Sequence, residues 1–573
     1  MNSRIYRRLL PAILLQLVCL PLFATTWYVR PDGGTRSQCD GKTDAAHANR
    51  TGHRCAFNDV RSLYMDGSYA TGTKFPAWGW VISGGDTVIL RGSIATGVSY
   101  RIGINDSKTR NWVGGIWGNQ FGSGMPAPPS GTAGHPTRIL GENWQNCSAQ
   151  SARTQLRGGW GVSNIIDLSG TSYVDVECLD LTDFTPCTRN ESAAVPCEVH
   201  GVVVADFAAD GIRFSNKTTH LTLNNIRAHG LAVQGFFGPT GDGTVMKNIV
   251  LVGNGSSGWN ADRGDRTTGT GSLLVQNFDI SWNGCAEEYP IKDPLPYEDC
   301  RDDSSGGYGD GFGTATVPSP APGWQVHFDQ GVVSYNTQDG LDALHIKGPG
   351  SSMTVTRTLA FGNEGNQIKV GGSKATVINN VIVGNCEAMR RQTIPGTPAG
   401  FGSVLRDPCR AGNVAVVLET TPGDPATYQF NTVYSSGSIG LEIEYATGDH
   451  GSGNMLDYDN NIFVGFKNPG GEYPSAVYST SDAVSFLTSP GASWSNNVTF
   501  ERGGDRACPH RGERRAICGD PGLVDETYHA YGYGNMSPKA GSRVRGAGTP
   551  IAGVTIDFAG KPRGNPPTIG ALE

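Results

Sequence analysis

A repeat runs through the middle of this chain and limits what it can fold into. Between about residues 200 and 465, a short apolar alternation, an Asn or small residue, a second alternation and an Asn or Gly turn recur. The segments "LTLNNIRAHG", "VMKNIVLVGNG", "LLVQNFDISWNG", "VHFDQGVVSYNT", "MTVTRTLAFGNE", "ATVINNVIVGNC" and "LDYDNNIFVGF" carry it. The closing turn residues include Asn254, Asn283, Asn336, Asn363 and Asn385, at steps of 29, 53, 27 and 22 residues. The long step spans an insertion, about residues 285–323, rich in Gly and Pro and holding two cysteines. Period-2 alternation makes half-buried strands. Two or three such strands per 20–50-residue repeat mark a solenoid. A helical solenoid needs apolar spacings of three and four, which are missing. A propeller blade needs four strands, more than these repeats hold. The expected fold is all-β, a parallel β-helix whose coils bury their inner faces by stacking. Asn at equivalent turns would then form an amide ladder, the expected role of most of these residues.

Composition fits many short strands joined by turns. Gly is 81 of 573 residues, about twice the usual share, and charged residues are only 17%. A formal net charge of -7 argues against nucleic acid as a partner. It leaves room for an anionic polysaccharide held by a few local cations. Residues 1–24 read as an export signal: Arg4, Arg7 and Arg8, then "LLPAILLQLVCLPLF", then Ala24. The apolar run is short for a membrane span, and Cys19 lacks the small residue that precedes a lipidated Cys. No later segment suits a membrane span, so a secreted protein, extracellular or periplasmic, is expected.

Twelve cysteines remain after the signal, an even number that suggests disulfides. Proximity suggests Cys39 with Cys55, Cys187 with Cys197, Cys285 with Cys300, Cys386 with Cys409, and Cys508 with Cys518. Cys147 and Cys178 complete the set. Zinc is disfavoured, since no CxxC occurs. Residues 25–573 are read as one domain, with "WYVRPD" and "GGDTVILRGS" leading into the coils and the C-terminal tail capping them.

Three segments fall on successive coils. "GYGDGFG" holds Asp310, "QDGLD" holds Asp339 and Asp342, and "GNQIKVGG" holds Lys369. Asp342 to Lys369 is 27 residues, the same as Asn336 to Asn363. In that register Lys369 stacks on Asp342, with Asp310 one coil earlier and coils only ~4.8 Å apart. Three carboxylates that close repel one another, and a hard cation with oxygen ligands would compensate. A solvated acidic patch is the plainer reading. The linear calcium-loop pattern is missing, so ligands would have to come from neighbouring coils.

At "GDGF", "DGLD" and "IKVGG" the chain resembles the family 9 polysaccharide lyases, over about 60 residues. The resemblance implies a right-handed parallel β-helix and calcium-assisted β-elimination on a pectate-like uronate polymer. It makes Asp310, Asp339 and Asp342 calcium (Ca2+) ligands and Lys369 the Brønsted base. One position departs: the family pattern has an acid where this chain has Gln338, whose carbonyl can still ligate with one charge fewer. The proton on C5 of a uronate lies α to a carboxylate, and a cation there would stabilise the developing charge. A lysine of ordinary pKa near ~10.4 is mostly charged at neutral pH, so an alkaline optimum and metal dependence are expected.

Lys347 is the second choice of base and a candidate for binding substrate. Lys374 follows a turn and is expected to face solvent. His345 lies an odd number of residues from Asp342, on the opposite strand face. Arg357 would bind a substrate carboxylate bidentately or form a coil-to-coil salt bridge. A glycoside hydrolase would use a carboxylate pair, Asp302 with Asp303 or Asp339 with Asp342, but the Gly-His-Gly turn of β-helix polygalacturonases is absent. A C5-epimerase would need a histidine-centred acid motif that is not seen. A non-catalytic glycan-binding or adhesin β-helix is the other class, with Tyr289, Tyr297, Tyr308 and Trp324 as sugar-stacking or packing residues. A monomer is expected.

Overall fold

The structure, a computed structural model, describes residues 24–573 except 49–52, 66–78, 104–123, 160–161, 184–196, 200–201, 205–207, 263–267, 288–296, 299–308, 315–322, 345, 347–349, 372–373, 386–413, 421–424, 436–438, 446–454, 467–474, 480–492, 502–507, 510–511, 528 and 530–531. The export signal thus lies almost wholly outside the described residues. Among the described residues there is no α-helix, only strands and short 3-10 turns, and no helix long and apolar enough to cross a membrane.

The strands pair in parallel, coil upon coil, as a right-handed parallel β-helix. In the central coils a long strand is followed by a turn and a short strand. The long strands belong to a 20-stranded sheet and the short ones to a ten-stranded sheet. Within or between the long strands a residue in the left-handed region recurs from coil to coil: Cys178, Asn225, Asn248, Asn277, Gln330, Arg357, Asn379, Phe430, Asn460 and Asn496, with φ between 47° and 61°. Asn recurs there because its short polar side chain tolerates that conformation. This residue makes one corner of the coil. Stacking reaches beyond residues 200–465 at both ends. Thr26–Gly34 pairs with Thr87–Leu90, and Val498–Glu501 pairs with Ile517–Cys518.

The expected amide ladder is present, but in two pieces. Asn254, Asn283, Asn336 and Asn363 stack at the turn after the long strand, each Nδ2 donating to the next Oδ1 at 2.8–2.9 Å. Asn363 then donates to Gln367 Oε1 at 2.7 Å. Asn385 does not extend the ladder; its Nδ2 donates to the His529 carbonyl at 2.6 Å. A second ladder of Asn380, Asn431, Asn461 and Asn497 continues at the other corner, at 3.0–3.2 Å. The interior is an aromatic and aliphatic stack, with Phe236, Trp259 and Phe312 fully buried and Leu341 and Ile368 next in register.

The tail does not only close an end. Leu523, Met536, Val544, Ile569 and Ala571 pack on Leu359, Val381, Ile462 and Val498, so it lies along the flank of several coils. Disulfides join Cys39 to Cys55, Cys147 to Cys178 and Cys508 to Cys518. Cys285 is also disulfide-bonded. The side chains of Cys187, Cys197, Cys386 and Cys409 lie outside the described residues.

Candidate functional site

The site is built on the ten-stranded sheet. Leu341 pairs with Ile368, and Asp342 with Lys369, in the register that the 27-residue step predicts. Leu341 and Ile368 point into the core, so by alternation Asp342 and Lys369 point out. Just before these strands Asp310, Asp339 and Asn366 form a second column. Asp310 Oδ1 accepts the Asp339 backbone N–H at 2.9 Å, and Asp339 Oδ1 accepts that of Asn366 at 2.5 Å.

Glycine makes this column possible. A Cβ on Gly311 would lie 2.4 Å from the Gly340 carbonyl oxygen, and one on Gly340 2.4 Å from that of Gln367. Gly235 and Gly258 meet their neighbours the same way. The repeated Gly after a polar residue ("QG", "SG", "DG", "DG") marks Gln234, Ser257, Asp310 and Asp339 in the sequence; Asn366, which Gln367 follows, breaks that pattern and is reached only by the 27-residue step from Asp339.

The geometry is compact. Lys369 Nζ lies 2.6 Å from Asp339 Oδ2 and 3.2 Å from Asp342 Oδ2. Asp310 and Asp339 are each only 2% exposed and Asp342 8%. Burial, then the Asp339 and Asp342 carboxylates, hold the Asp310 carboxyl well above the usual carboxylate range; Lys369 opposes this and is outweighed. Gln338 is buried beside them, its backbone N–H on the Gly309 carbonyl at 3.0 Å. The structure thus gathers three carboxylates, all oxygen donors, with one ammonium against three acids. Such a set fits a hard divalent cation. By contrast, Cys39, His47 and Cys55 lie close together, but the two sulfurs are bonded to each other and cannot be thiolate ligands.

Other sequence candidates fall elsewhere. Arg357 sits at the left-handed corner of the long strand, its Nε 2.8 Å from Asp329 Oδ1 and its Nη2 on Asp329 Oδ2. It forms the coil-to-coil salt bridge and is withdrawn as a substrate ligand. Trp324 is 1% exposed and packs in the core, so it offers no sugar platform. Lys374 is exposed at the start of a strand. Lys347, His345, Asp302, Asp303, Tyr289 and Tyr308 lie outside the described residues, as does the side chain of Tyr297.

No family model matches the chain, and no curated protein matches its sequence. Among solved structures, pectate lyase Pel9A is similar over 96% of this chain and 96% of its own, at 15% identity and a TM-score of 0.44. The A-module of Azotobacter vinelandii mannuronan C-5 epimerase AlgE4 is similar over 76% of this chain and 94% of its own, at 15% identity and a TM-score of 0.37. A rhamnogalacturonan lyase is similar over 88% and 91%, at 13% identity and a TM-score of 0.35. At these values the likenesses add nothing to the chemistry, which rests on the residues of the site.

Proposed function

We propose that this protein is an exported lyase that cleaves a uronate-containing polysaccharide by β-elimination. Asp310, Asp339, Asp342 and Gln338 would hold Ca2+, and Lys369 would be the base. One observation carries the reading: Lys369 Nζ lies within 3.2 Å of two nearly buried carboxylates, with a third in hydrogen-bonded register beneath them.

Each group has work in that reaction. Lys369 takes the C5 proton onto Nζ, the C4–C5 double bond forms, and the C4–O4 bond breaks. The leaving oxygen takes a proton from water. To act as base, Lys369 must first give its ammonium proton to solvent, which a cation engaging the Asp339 and Asp342 carboxylates would favour by withdrawing their negative charge from Nζ. Bound Ca2+ supplies positive charge against the negative charge that develops beside the substrate carboxylate. Gln338 contributes a neutral oxygen. Asp310 holds the Asp339 backbone N–H and so orients that turn.

The test is ultraviolet absorbance of the mature protein with a panel of uronate polymers, with calcium or with chelator. A calcium-dependent rise, abolished by Lys369→Ala in a protein with an unchanged melting profile, is expected. New reducing ends without absorbance would mean hydrolysis. Full activity of Lys369→Ala would remove it as the base.

A further inference from the structure

The coil corner carries a second polar groove, on the 20-stranded sheet rather than the sheet of the candidate site. It encloses about 660 Å³ and is lined by Arg153, Asn225, Asn248, Asn277, Asp279 and Val332, among others. Three of these are the corner asparagines of successive coils. Asn248 Nδ2 donates to Asn224 Oδ1 at 2.9 Å, and Asn277 Nδ2 to Asn248 Oδ1 at 2.5 Å, which leaves each of those two Nδ2 groups a further hydrogen.

Arg153 gives the groove its charge. It is only 7% exposed. Its Nε donates to the Asn225 carbonyl at 3.1 Å, and among the described residues neither Nη atom has a hydrogen-bond partner. The buried carboxylate whose charge reaches Arg153, Asp180, is held by Gln155, Arg227 and His229. The edge carboxylate, Asp279, accepts from Ser281. A guanidinium fork left open in a nearly buried position suits a carboxylate ligand.

The protein fills the other half of this corner itself. Asn379 Nδ2 donates to the Ile556 carbonyl at 2.8 Å, and Asn460 Nδ2 to the Thr549 carbonyl at 3.0 Å. Arg563 lies over the Phe430 ring and donates to Asn379 Oδ1. The tail thus covers this corner on the later coils, while among the described residues the same corner is left open over Asn225 to Asn277. A peptide strand advances only ~3.3 Å per residue, out of step with coils ~4.8 Å apart. A sugar unit in an extended glycan comes close to the coil spacing.

We infer that the groove from Arg153 to Asn277 is a second binding site for an acidic glycan, with a uronate carboxylate on the Arg153 fork and sugar hydroxyls on the corner amides. The inference rests on the proposed substrate class but not on the cleavage chemistry. It would hold a polymer at a distance from the reacting bond.

The test is native-gel retardation of the full chain, carrying Lys369→Ala so that the polymer survives, in gels containing polygalacturonate or alginate. Adding Arg153→Gln or Asn277→Asp should weaken retardation by at least one polymer about tenfold. Asn277→Asp sets a negative charge in the groove at an exposed position whose backbone Asp tolerates, so it keeps the test valid if Arg153→Gln misfolds. In the catalytically intact protein, Asn277→Asp should leave cleavage of short oligosaccharides unchanged. Retardation that Asn277→Asp does not weaken, no retardation by either polymer, or equal retardation by an uncharged glycan would overturn the inference. Retardation that needs Arg153 and Asn277, in a protein that forms no unsaturated product, would overturn the lyase reading and leave the groove standing.

Discussion

Two wholly or nearly buried aspartates show how partners decide what burial does to a carboxylate. Asp180 is 0% exposed, and burial alone would raise its pKa. His229, Arg227 and Gln155 outweigh that and hold it well below the usual range. Asp310 has two acids as neighbours instead, and burial and repulsion act together. A carboxylate depressed in the folded state contributes stability that is complete above its unfolded pKa of ~3.9 and is lost as pH falls below it. Asp180→Asn should therefore lower the melting temperature at pH 7 and flatten its fall below about pH 4. Parallel pH profiles for the two proteins would remove Asp180 from acid sensitivity. The sequence did not reveal this cluster: Gln155, Asp180, Arg227 and His229 stand on three stacked strands and meet only through that stacking.

At the scale of the coil, the amide ladders carry the greatest local demand. Asn336 is fully buried; it accepts from the backbone N–H and side chain of Asn283 and donates to the Ile280 carbonyl and Asn363. Asn336→Ala strands several polar groups at once, each costing about 1–3 kcal/mol. A clear drop in the denaturant midpoint is expected. An unchanged midpoint would mean the ladder is compensated by water. The first ladder was legible as an Asn at each closing turn. The second was hidden in the doublets Asn379–Asn380, Asn460–Asn461 and Asn496–Asn497, where the first Asn turns the corner and the second enters the stack.

For the molecule as a whole, the tail acts as a lengthwise strap. Its apolar residues cover Leu359, Val381, Tyr434, Ile462 and Val498, and the Tyr434 hydroxyl donates to the Glu526 carbonyl. Burying each large aliphatic side chain is worth about 1.5–3 kcal/mol. Truncation after residue 519 should lower the melting temperature and raise binding of a hydrophobic dye. If neither changes, the strap is dispensable for the coils.

The sequence by itself determined the coil. Period-2 alternation, a recurring pattern of two short strands and Asn at the turns admit little but a stacked parallel solenoid, because each coil must bury its inner face on the next. It also determined the register of Asp342 on Lys369, since equal steps place equal positions one above another. Tertiary structure decided what direction and distance decide. It sent Arg357 to Asp329, put Trp324 in the core, moved the ladder between corners and laid the tail along the flank. Those outcomes depend on which face and which corner a side chain occupies. A one-dimensional repeat fixes spacing along the stack but leaves the partner across each corner to three-dimensional packing.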